Sequence, residues 1–284
     1  MSLARRMQQA AAGSAGAGPA PSGWTDPDLA NASYDGVSFS VSSQESSPYD
    51  VYFRPDGTKF YVIGFNSDRV HQYGMSTAWD LSTASYDSKS TSVSATGSFP
   101  LGLTMKPDGT KMYVVSFVGN SVFQYTLSTA WDISTALYDS VRYSVSAQGS
   151  ASYTVRFNND GTAMYVGLHT NDTIFQYSLS TAWNVSTASY SGKSLAVGSQ
   201  DGDLRGVIFN PSGDELYLLG TGSDSVYKYS LSTAFDLSTA SYDSVSFSVS
   251  SQDSDPTGLF FSSGGTKMYI LGQSSDTIYQ YSTA

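Results

Sequence analysis

The stretch Pro107-Asp-Gly-Thr-Lys-Met-Tyr-Val-Val115 decides the fold, because its pattern returns every 52 residues along the chain. Five glycines and five tyrosines keep this step without an insertion: Gly57, Gly109, Gly161, Gly213 and Gly265, with Tyr61, Tyr113, Tyr165, Tyr217 and Tyr269. The segment Ser-Thr-Ala-Trp-Asp, which starts at Ser128, keeps the same period with small changes. An unbroken period of this size predicts one supersecondary unit, copied five times in a stacked or circular array.

Each repeat divides into four short predicted strands. In the second repeat, Pro100–Lys106 is the inner strand, Lys111–Val115 and Ser121–Tyr125 follow it, and Tyr86–Ser94 is extended on the outside. The turn Pro107-Asp-Gly109 separates the first two, because Pro pre-sets a turn and Gly accepts the positive φ that closes it. Four antiparallel strands per repeat are typical of a propeller blade. The predicted fold class is therefore all-β, a five-bladed β-propeller.

The two ends of the chain predict how the ring closes. The repeat begins at Asp28-Leu29, so the first strand, Ser33–Ser42, corresponds to an outermost strand. The chain stops at Ala284, where the fifth blade still needs an outermost strand. We therefore expect the N-terminal strand to complete the last blade, within a domain of residues 24–284. One aromatic residue per repeat is expected to staple neighbouring blades at the periphery: Trp79, Trp131, Trp183 and Phe235.

Composition excludes several classes of function. Only 13% of the residues are charged and the formal net charge is −10, so a basic face for nucleic acid is not expected. The chain has no cysteine, which excludes disulfides and thiolate metal sites. It contains no apolar run of about 18 residues that would span a membrane. We predict neither a metal nor a cofactor.

Residues 1–23 predict a tether rather than part of the propeller. Arg5 and Arg6 resemble the start of a signal peptide, but no apolar stretch follows them, so we expect no secretion by that route. Leu3 and Met7 share a helical face, and with the two arginines they are the predicted partner-anchoring residues. A Gly/Ala/Pro linker follows. The segment is either a disordered tail or a tether that orders when it docks on a partner.

Three segments resemble the repeat core of YVTN-type β-propeller proteins: PDGTKFYVI at 55–63, PDGTKMYVV at 107–115 and PTGLFFSSGGTKMYILG at 256–272. The resemblance covers about half of each repeat and implies the propeller fold. Repeats that carry Leu-Ser-Thr-Ala-Trp-Asp, as at 127–132, are also similar to propeller-like segments of bacteriophage structural proteins. Five copies of this length resemble tachylectin-type five-bladed lectins in architecture.

A polar ring just before the inner strands is the predicted ligand-binding site. It repeats on one face of the disc as Gln44, Glu45, Gln148, Gln200, Asp201, Gln252 and Asp253. The alternative is that these residues belong to ordinary surface loops. One Asp or Asn per repeat, such as Asp68 and Asn120, could be taken for a calcium ligand. Because one carboxylate per turn is too few for a calcium shell, turn formation explains these residues better.

The search for catalytic residues gives a negative prediction. His71 stands where other repeats have Phe or Tyr, which indicates packing, and His169 stands at a variable loop position, which indicates the surface. The charged residues that break the repeat near the inner strands are Asp50, Arg156, Asp203, Arg205 and Asp255. Ordinary loop charges explain them without catalysis. We predict no catalytic residue and no enzyme activity.

Three functional hypotheses remain at this point. The main one is a bacteriophage virion structural protein (tail fibre, neck or decoration protein), made in the host cytoplasm and located in the virion. Its expected partners are other virion proteins, bound through the tail, and a host surface glycan or receptor. The first alternative is a free multivalent carbohydrate-binding lectin, located outside the cell. The second is a propeller-type glycoside hydrolase with paired carboxylates near the channel.

Overall fold

The computed structural model describes residues 23–97 and 99–284 and shows a ring of five four-stranded antiparallel sheets. The predicted five-bladed β-propeller is confirmed. Strand β1 (Ser33–Ser40) precedes the blades. The first blade holds β2 (Pro48–Phe53), β3 (Lys59–Gly64), β4 (Arg69–Met75) and β5 (Ala84–Ser92), and the second holds β6 (Pro100–Met105), β7 (Lys111–Ser116), β8 (Ser121–Leu127) and β9 (Ala136–Ser144).

The other three blades repeat this order. The third blade holds β10 (Ser152–Phe157), β11 (Ala163–Leu168), β12 (Thr173–Leu179) and β13 (Ala188–Ala196), and the fourth holds β14 (Leu204–Phe209), β15 (Glu215–Gly220), β16 (Ser225–Leu231) and β17 (Ala240–Ser248). The fifth holds β18 (Pro256–Phe261), β19 (Lys267–Gly272) and β20 (Thr277–Ser282). Short 3-10 turns lie at Leu29–Asn31, Leu81–Thr83, Ser94–Thr96, Ile133–Thr135, His169–Asn171, Val185–Thr187 and Leu237–Thr239. Among the described residues, no helix is long and apolar enough to cross a membrane.

The ring closes through its N-terminal strand, as predicted. Strand β1 pairs antiparallel with β20 and becomes the outermost strand of the fifth blade. It ends at Ser40 rather than Ser42, because Val41 N–H donates to Asp276 O in the loop beyond the ladder. The predicted division at residue 23 is not tested, and the anchoring residues Leu3, Arg5, Arg6 and Met7 lie outside the described part of the chain.

The antiparallel order gives the disc two distinct faces. Each inner strand (β2, β6, β10, β14 or β18) runs from one face to the other. On the glycine-turn face, the turns after the inner strands, as at 54–58, lie beside the Ser-Thr-Ala-Trp segments, as at 76–83. On the opposite Asx-turn face, turns such as 65–68 lie beside the loops that enter each inner strand, such as 41–47. The two faces carry different chemistry, as described below.

In the first three repeats the turn glycine is required because an indole ring fills the place of its side chain; the Phe235 ring does so at Gly213, and the Thr25 carbonyl oxygen does so at Gly265. Gly57 has φ +72°, and a Cβ there would lie 2.4 Å from the Trp79 ring; Gly109 makes the same contact with Trp131. Tyr61 Oη in turn donates to Trp131 O at 2.8 Å, which joins the first blade to the second. The predicted aromatic staple is therefore confirmed as a contact between blades. It lies under the glycine turns, however, and not at the periphery.

The turns predicted at the Asp and Asn positions are present, and their Asx residues adopt a left-handed backbone. Asp68, Asn120, Asp172, Asp224 and Asp276 have φ between 39° and 51°. Two of the side chains accept an N–H at the entry to the next inner strand: Asn120 Oδ1 from Ala151 N, just before β10, at 2.7 Å, and Asp172 Oδ1 from Leu204 N, the first residue of β14, at 3.3 Å. The other three turns face strands that begin with proline, which has no N–H. Their Oδ1 atoms are buried without a hydrogen-bond partner.

Candidate functional site at the channel mouth

An ion pair closes the central channel between the two faces. Asp50 on β2 and Arg156 on β10 meet across the channel, with Nη1 to Oδ2 at 3.1 Å and Nη2 to Oδ1 at 3.2 Å. The carboxylate also accepts from the N–H groups of Val51 and Leu103, so all four of its contacts are donors. Burial raises the pKa of Asp50, and the charge and hydrogen bonds of Arg156 oppose that rise. The pair links the first blade to the third and leaves two separate channel ends.

The channel mouth on the Asx-turn face has a different pair of side chains at each junction between blades. At these junctions, the side chain of the first residue of an Asx turn lies close to the residue just before the inner strand of the next blade, or to a residue adjacent to that one. Phe65 stacks on Phe99 with ring centroids 4.3 Å apart. Gln273 Nε2 donates to Ser47 Oγ at 2.6 Å where the ring closes. Because the backbone of each copy is nearly the same, these junctions differ mainly in side-chain chemistry.

The junction between the third and fourth blades carries the titratable groups. His169 Nδ1 lies 3.0 Å from Asp203 Oδ1, an ion-pair distance at which neither atom meets hydrogen-bond alignment. Arg205 Nη2 donates to the other oxygen of Asp203 at 3.1 Å, and Arg205 Nε donates to Thr221 Oγ1 at 3.1 Å. The guanidinium also lies over the Tyr153 ring, 4.7 Å from its centroid. A carboxylate is thus held between an imidazole and a guanidinium.

Aromatic rings complete the mouth on the side of the third and first blades. The Tyr153 ring lies 5.1 Å from the imidazole of His169 and 6.2 Å from the ring of Tyr49 across the channel. Phe117 meets Tyr153 edge-on at 5.9 Å and is 38% exposed. Burial raises the pKa of Tyr153, against the opposing charge of Arg205. The mouth therefore joins an aromatic wall to a charged wall.

A second carboxyl group of the mouth has a raised pKa. Asp255 occupies in the fifth blade the position that Asp203 occupies in the fourth. Burial raises the pKa of Asp255, Arg205 opposes the rise, and the negative charges of Asp253 and Asp203 add to it. Two carboxyl groups in equivalent positions thus have unlike surroundings, since Asp203 accepts a hydrogen bond from the guanidinium and Asp255 does not among the bonds described.

The predicted polar ring lies on the Asx-turn face, and internal hydrogen bonds engage all of it. Glu45, Asp201 and Asp253 are buried and cap the adjacent Asx turns; Asp201, for example, accepts from the backbone of Gly222 and Ser223. Each glutamine accepts from a tyrosine hydroxyl: Gln44 from Tyr73, Gln148 from Tyr177, Gln200 from Tyr229 and Gln252 from Tyr281. These bonds give the ring a structural role. Ligand binding there stays a prediction.

The two histidines have different environments. His71 is buried, with Nε2 3.1 Å from Ser67 Oγ, and burial lowers its pKa. This confirms the predicted packing position. His169 is partly exposed but faces Asp203 and Tyr153 rather than open solvent alone. The sequence did carry a signal for this site, because the His169 position holds Phe in the first two copies and His, Thr and Gln in the other three. Such variation alone indicates a surface position. The period does not show which residue of the next repeat faces His169.

No metal centre is evident in the described part of the chain. Across residues 23–97 and 99–284, no group of three or more His, Asp or Glu side chains could hold a metal ion.

Comparisons with known proteins place the chain at the level of fold. No protein-family model and no curated protein matches it. A solved Lactobacillus plantarum protein aligns with TM-score 0.52 and 13% identity over 83% of this chain and 67% of that one. A candidate 6-phosphogluconolactonase from Bacteroides uniformis aligns with TM-score 0.49 and 11% identity, over 80% of this chain and 64% of that one. The periplasmic gluconolactonase of Pseudomonas aeruginosa aligns with TM-score 0.47 and 14% identity, over 83% of this chain and 66% of that one.

The chain spans less than two thirds of the length of the Bacteroides and Pseudomonas proteins. At these identities the likeness shows a propeller fold and nothing finer. The YVTN-type resemblance is confirmed at that level alone, since no family model matches. The predicted partners and localisation are tested by none of these observations.

Two functional predictions need correction. The neighbours named above include gluconolactonase propellers, and none of the three is described as a phage protein. The predicted bacteriophage virion role is therefore wrong, and so is the prediction that the chain is not an enzyme. The virion role rested on the tether-like N-terminal segment and on the similarity to bacteriophage segments. The prediction of no enzyme activity rested on the regularity of the repeat, which hides the junction where His169 meets Asp203.

Proposed function

We propose that this chain is a hydrolase whose active site is the channel mouth formed by His169, Asp203, Arg205 and Asp255. The observation that carries the proposal is the unlike pair of carboxyl groups. Asp203 is bound by a guanidinium, whereas burial and neighbouring negative charge raise the pKa of Asp255. Titratable pairs whose surroundings differ in this way divide the roles of acid and base.

The geometry assigns a role to each group. Asp203 occupies the Nδ1 side of His169, which leaves Nε2 to take a proton from an attacking water. Asp255, with its raised pKa, carries a proton to the leaving oxygen. Arg205 uses Nε and Nη2 in the hydrogen bonds described, so Nη1 is the nitrogen that can reach a developing negative charge.

The walls of the mouth favour a small, neutral, hydroxyl-rich substrate. Tyr49, Tyr153 and Phe117 offer ring faces and edges, and the carboxylates offer acceptors for hydroxyl groups. The surrounding Asx-turn face is acidic, and its negative charges raise the pKa of Asp224 in addition to burial. A phosphorylated substrate would meet repulsion there. The reaction we propose is hydrolysis of a carbon–oxygen bond in an uncharged sugar derivative, either a glycoside or a sugar lactone.

Turnover by the full chain tests this proposal directly. Aryl glycosides and δ-gluconolactone are the two arms of the assay, with spontaneous hydrolysis subtracted. The site variants are His169→Gln and Asp255→Ser, which copy Gln273 and Ser47 at the equivalent positions. We expect each to lower kcat/KM by roughly 10²–10⁴-fold, the usual contribution of a general acid or base.

Matched controls come from the repeat as well. Asp276→Asn copies Asn120, and His71→Phe copies Phe123; both change a titratable group outside the mouth cluster and should keep full activity. Turnover in one arm identifies the substrate class. Absence of turnover in both arms, or equal activity in the site variants and the unmodified chain, contradicts the proposal.

A further inference from the structure

The opposite end of the channel, on the glycine-turn face, contains a separate cavity of about 310 Å³. The fifth residues of all five inner strands line it: Tyr52, Thr104, Arg156, Ile208 and Phe260. The ion pair of Arg156 with Asp50 separates it from the catalytic mouth. Pockets for small ligands start at about this volume. The proposed hydrolase does not use this cavity.

The cavity exists because the repeat is irregular at one level of the channel. Tyr52 and Phe260 place rings there, 5.2 Å apart, whereas the equivalent positions hold the smaller Thr104 and Ile208. Closer to the glycine turns, aromatic pairs such as Phe157 with Trp183 line the wall of the cavity. The two smaller side chains thus leave space beside the two aromatic rings, in a cavity that is partly open to solvent.

Arg156 has more hydrogen-bond donors than its surroundings satisfy. Its side chain is 7% exposed. Nη1 donates to Asp50, Leu103 O and Val155 O, and Nη2 donates one hydrogen bond to Asp50. Nη2 carries a second N–H, and Nε is buried without a partner. A buried donor of this kind is costly to leave unpaired, so an acceptor in the cavity would be favoured.

We propose that this cavity binds a small neutral aromatic molecule that carries one hydrogen-bond acceptor, such as a ketone. The aromatic walls select a flat ring, with offset or edge-on contacts. The spare N–H of Arg156 selects the acceptor. The charge of Arg156 is already matched by Asp50, so an anion gains little attraction and loses its hydration in an apolar cavity.

The probe is prodan, a fluorescent naphthyl ketone whose emission shifts to shorter wavelength in apolar surroundings. Titrated into the full chain, it should bind with a stoichiometry near one. 2-Acetonaphthone should displace it, and 2-naphthoate of the same size should displace it at least about tenfold more weakly, a difference of about 1.4 kcal/mol.

Filling variants locate the binding. Thr104→Tyr and Ile208→Phe copy the residues of the first and fifth blades, and together they should abolish the prodan shift. Leu101→Tyr, which copies Tyr49 at the other end of the channel, is the matched control and should bind normally. Circular dichroism confirms that each variant is folded.

A charge variant tests the selectivity. Asp50→Asn leaves Arg156 without its counter-charge, so 2-naphthoate should gain affinity relative to 2-acetonaphthone. If Asp50→Asn does not fold, Arg156→Gln tests the same selectivity from the other side. Because it removes the guanidinium donor, it should remove the preference for 2-acetonaphthone over 2-ethylnaphthalene. No saturable prodan binding, binding unaffected by the filled cavity, or tighter binding of 2-naphthoate by the unmodified chain would overturn the proposal.

Discussion

Three aspartates on one face of the disc and three on the other have opposite pKa shifts, although all come from the same repeat. On the glycine-turn face, burial works to raise the pKa of Asp56, Asp108 and Asp160, yet hydrogen bonds outweigh it and the net shift is downward. Lys106 and Thr110 lower the pKa of Asp108 to about 2. On the Asx-turn face, burial raises the pKa of Asp224, Asp255 and Asp276, and neighbouring carboxylates add to the rise in all three.

The difference lies in what the backbone offers each carboxylate. In a glycine turn, the aspartate accepts from the N–H and hydroxyl of the threonine two residues later, as Asp108 does from Thr110 at 3.0 and 2.6 Å. In three Asx turns, the corresponding donor is missing because the facing residue is proline. Hydrogen bonds therefore stabilise the ionised form of aspartates in the glycine turns, whereas burial and neighbouring carboxylates favour the protonated form of Asp224, Asp255 and Asp276 on the Asx-turn face.

Breaking the ion pair that separates the two channel ends should have the largest effect. Asp50→Ala leaves Arg156 buried and unpaired, which should lower the free energy of unfolding by about 3–5 kcal/mol. Urea unfolding measures this loss. The double variant Asp50→Gly with Arg156→Thr copies other repeats and removes both charges, so it should recover most of the stability. A double variant as unstable as Asp50→Ala would show that the pair itself, rather than the orphaned charge, is needed.

Acid titration of stability should separate the two faces. Carboxyl groups with raised pKa bind protons more tightly in the folded chain, so Asp224 and Asp276 should add stability as pH falls through their folded pKa towards the ordinary aspartate pKa of 3.8. Carboxyl groups with lowered pKa act in the opposite sense. The stability that Asp108 contributes is fully present above pH 3.8, and it is lost as the pH falls towards about 2.

Variants of the Asx turns check that sign. Asp224→Asn with Asp276→Asn should remove the gain in stability above about pH 4 and leave the loss below it, as seen in urea unfolding across this pH range. Asn120 shows that the turn accepts the substitution. An unchanged profile above pH 4 would mean that these two groups have ordinary pKa values in the folded chain.

The smallest effect is expected from supplying the missing donor. Pro256→Ala places an N–H at the start of β18, where Leu204 N–H serves Asp172 on β14. The pKa of Asp224 should fall, as measured by NMR titration of its carboxyl carbon. Stability should change little, since the hydrogen bond gained and the proline constraint lost are each worth about 0.5–1 kcal/mol. A pKa of Asp224 that does not move would rule out the missing N–H as part of the cause.

The fold could be predicted from the sequence because an exact period constrains every copy at once. Strand order and the turns at the Asx positions follow from residues local to one repeat, blade number follows from the count of copies, and the closing role of Ser33–Ser42 follows from the two ends of the chain. The position of Trp79 could not be predicted, since it depends on which gap its ring fills beneath Gly57. The pairing of His169 with Asp203 could not be predicted either, because it joins residues of different copies.

The cavity and the ion pair escaped prediction for a related reason. Asp50 and Arg156 were recognised as departures from the repeat, but they meet across the channel, over 106 positions of sequence. A period identifies equivalent residues and does not tell which non-equivalent ones face each other. Functional chemistry in a ring of copies arises from such contacts between unlike residues, which become visible once the ring is closed in three dimensions.

One measurement tests the contrast between the faces most directly: a single pH titration that follows the side-chain carboxyl carbons of Asp108 and Asp255 by NMR in the full chain. The account predicts a pKa of about 2 for Asp108 and a pKa above 3.8 for Asp255. It also predicts that His169→Gln leaves the pKa of Asp108 unchanged. Equal pKa values for the two groups, or a lower value for Asp255, would contradict the assignment of the acid–base site to the Asx-turn face.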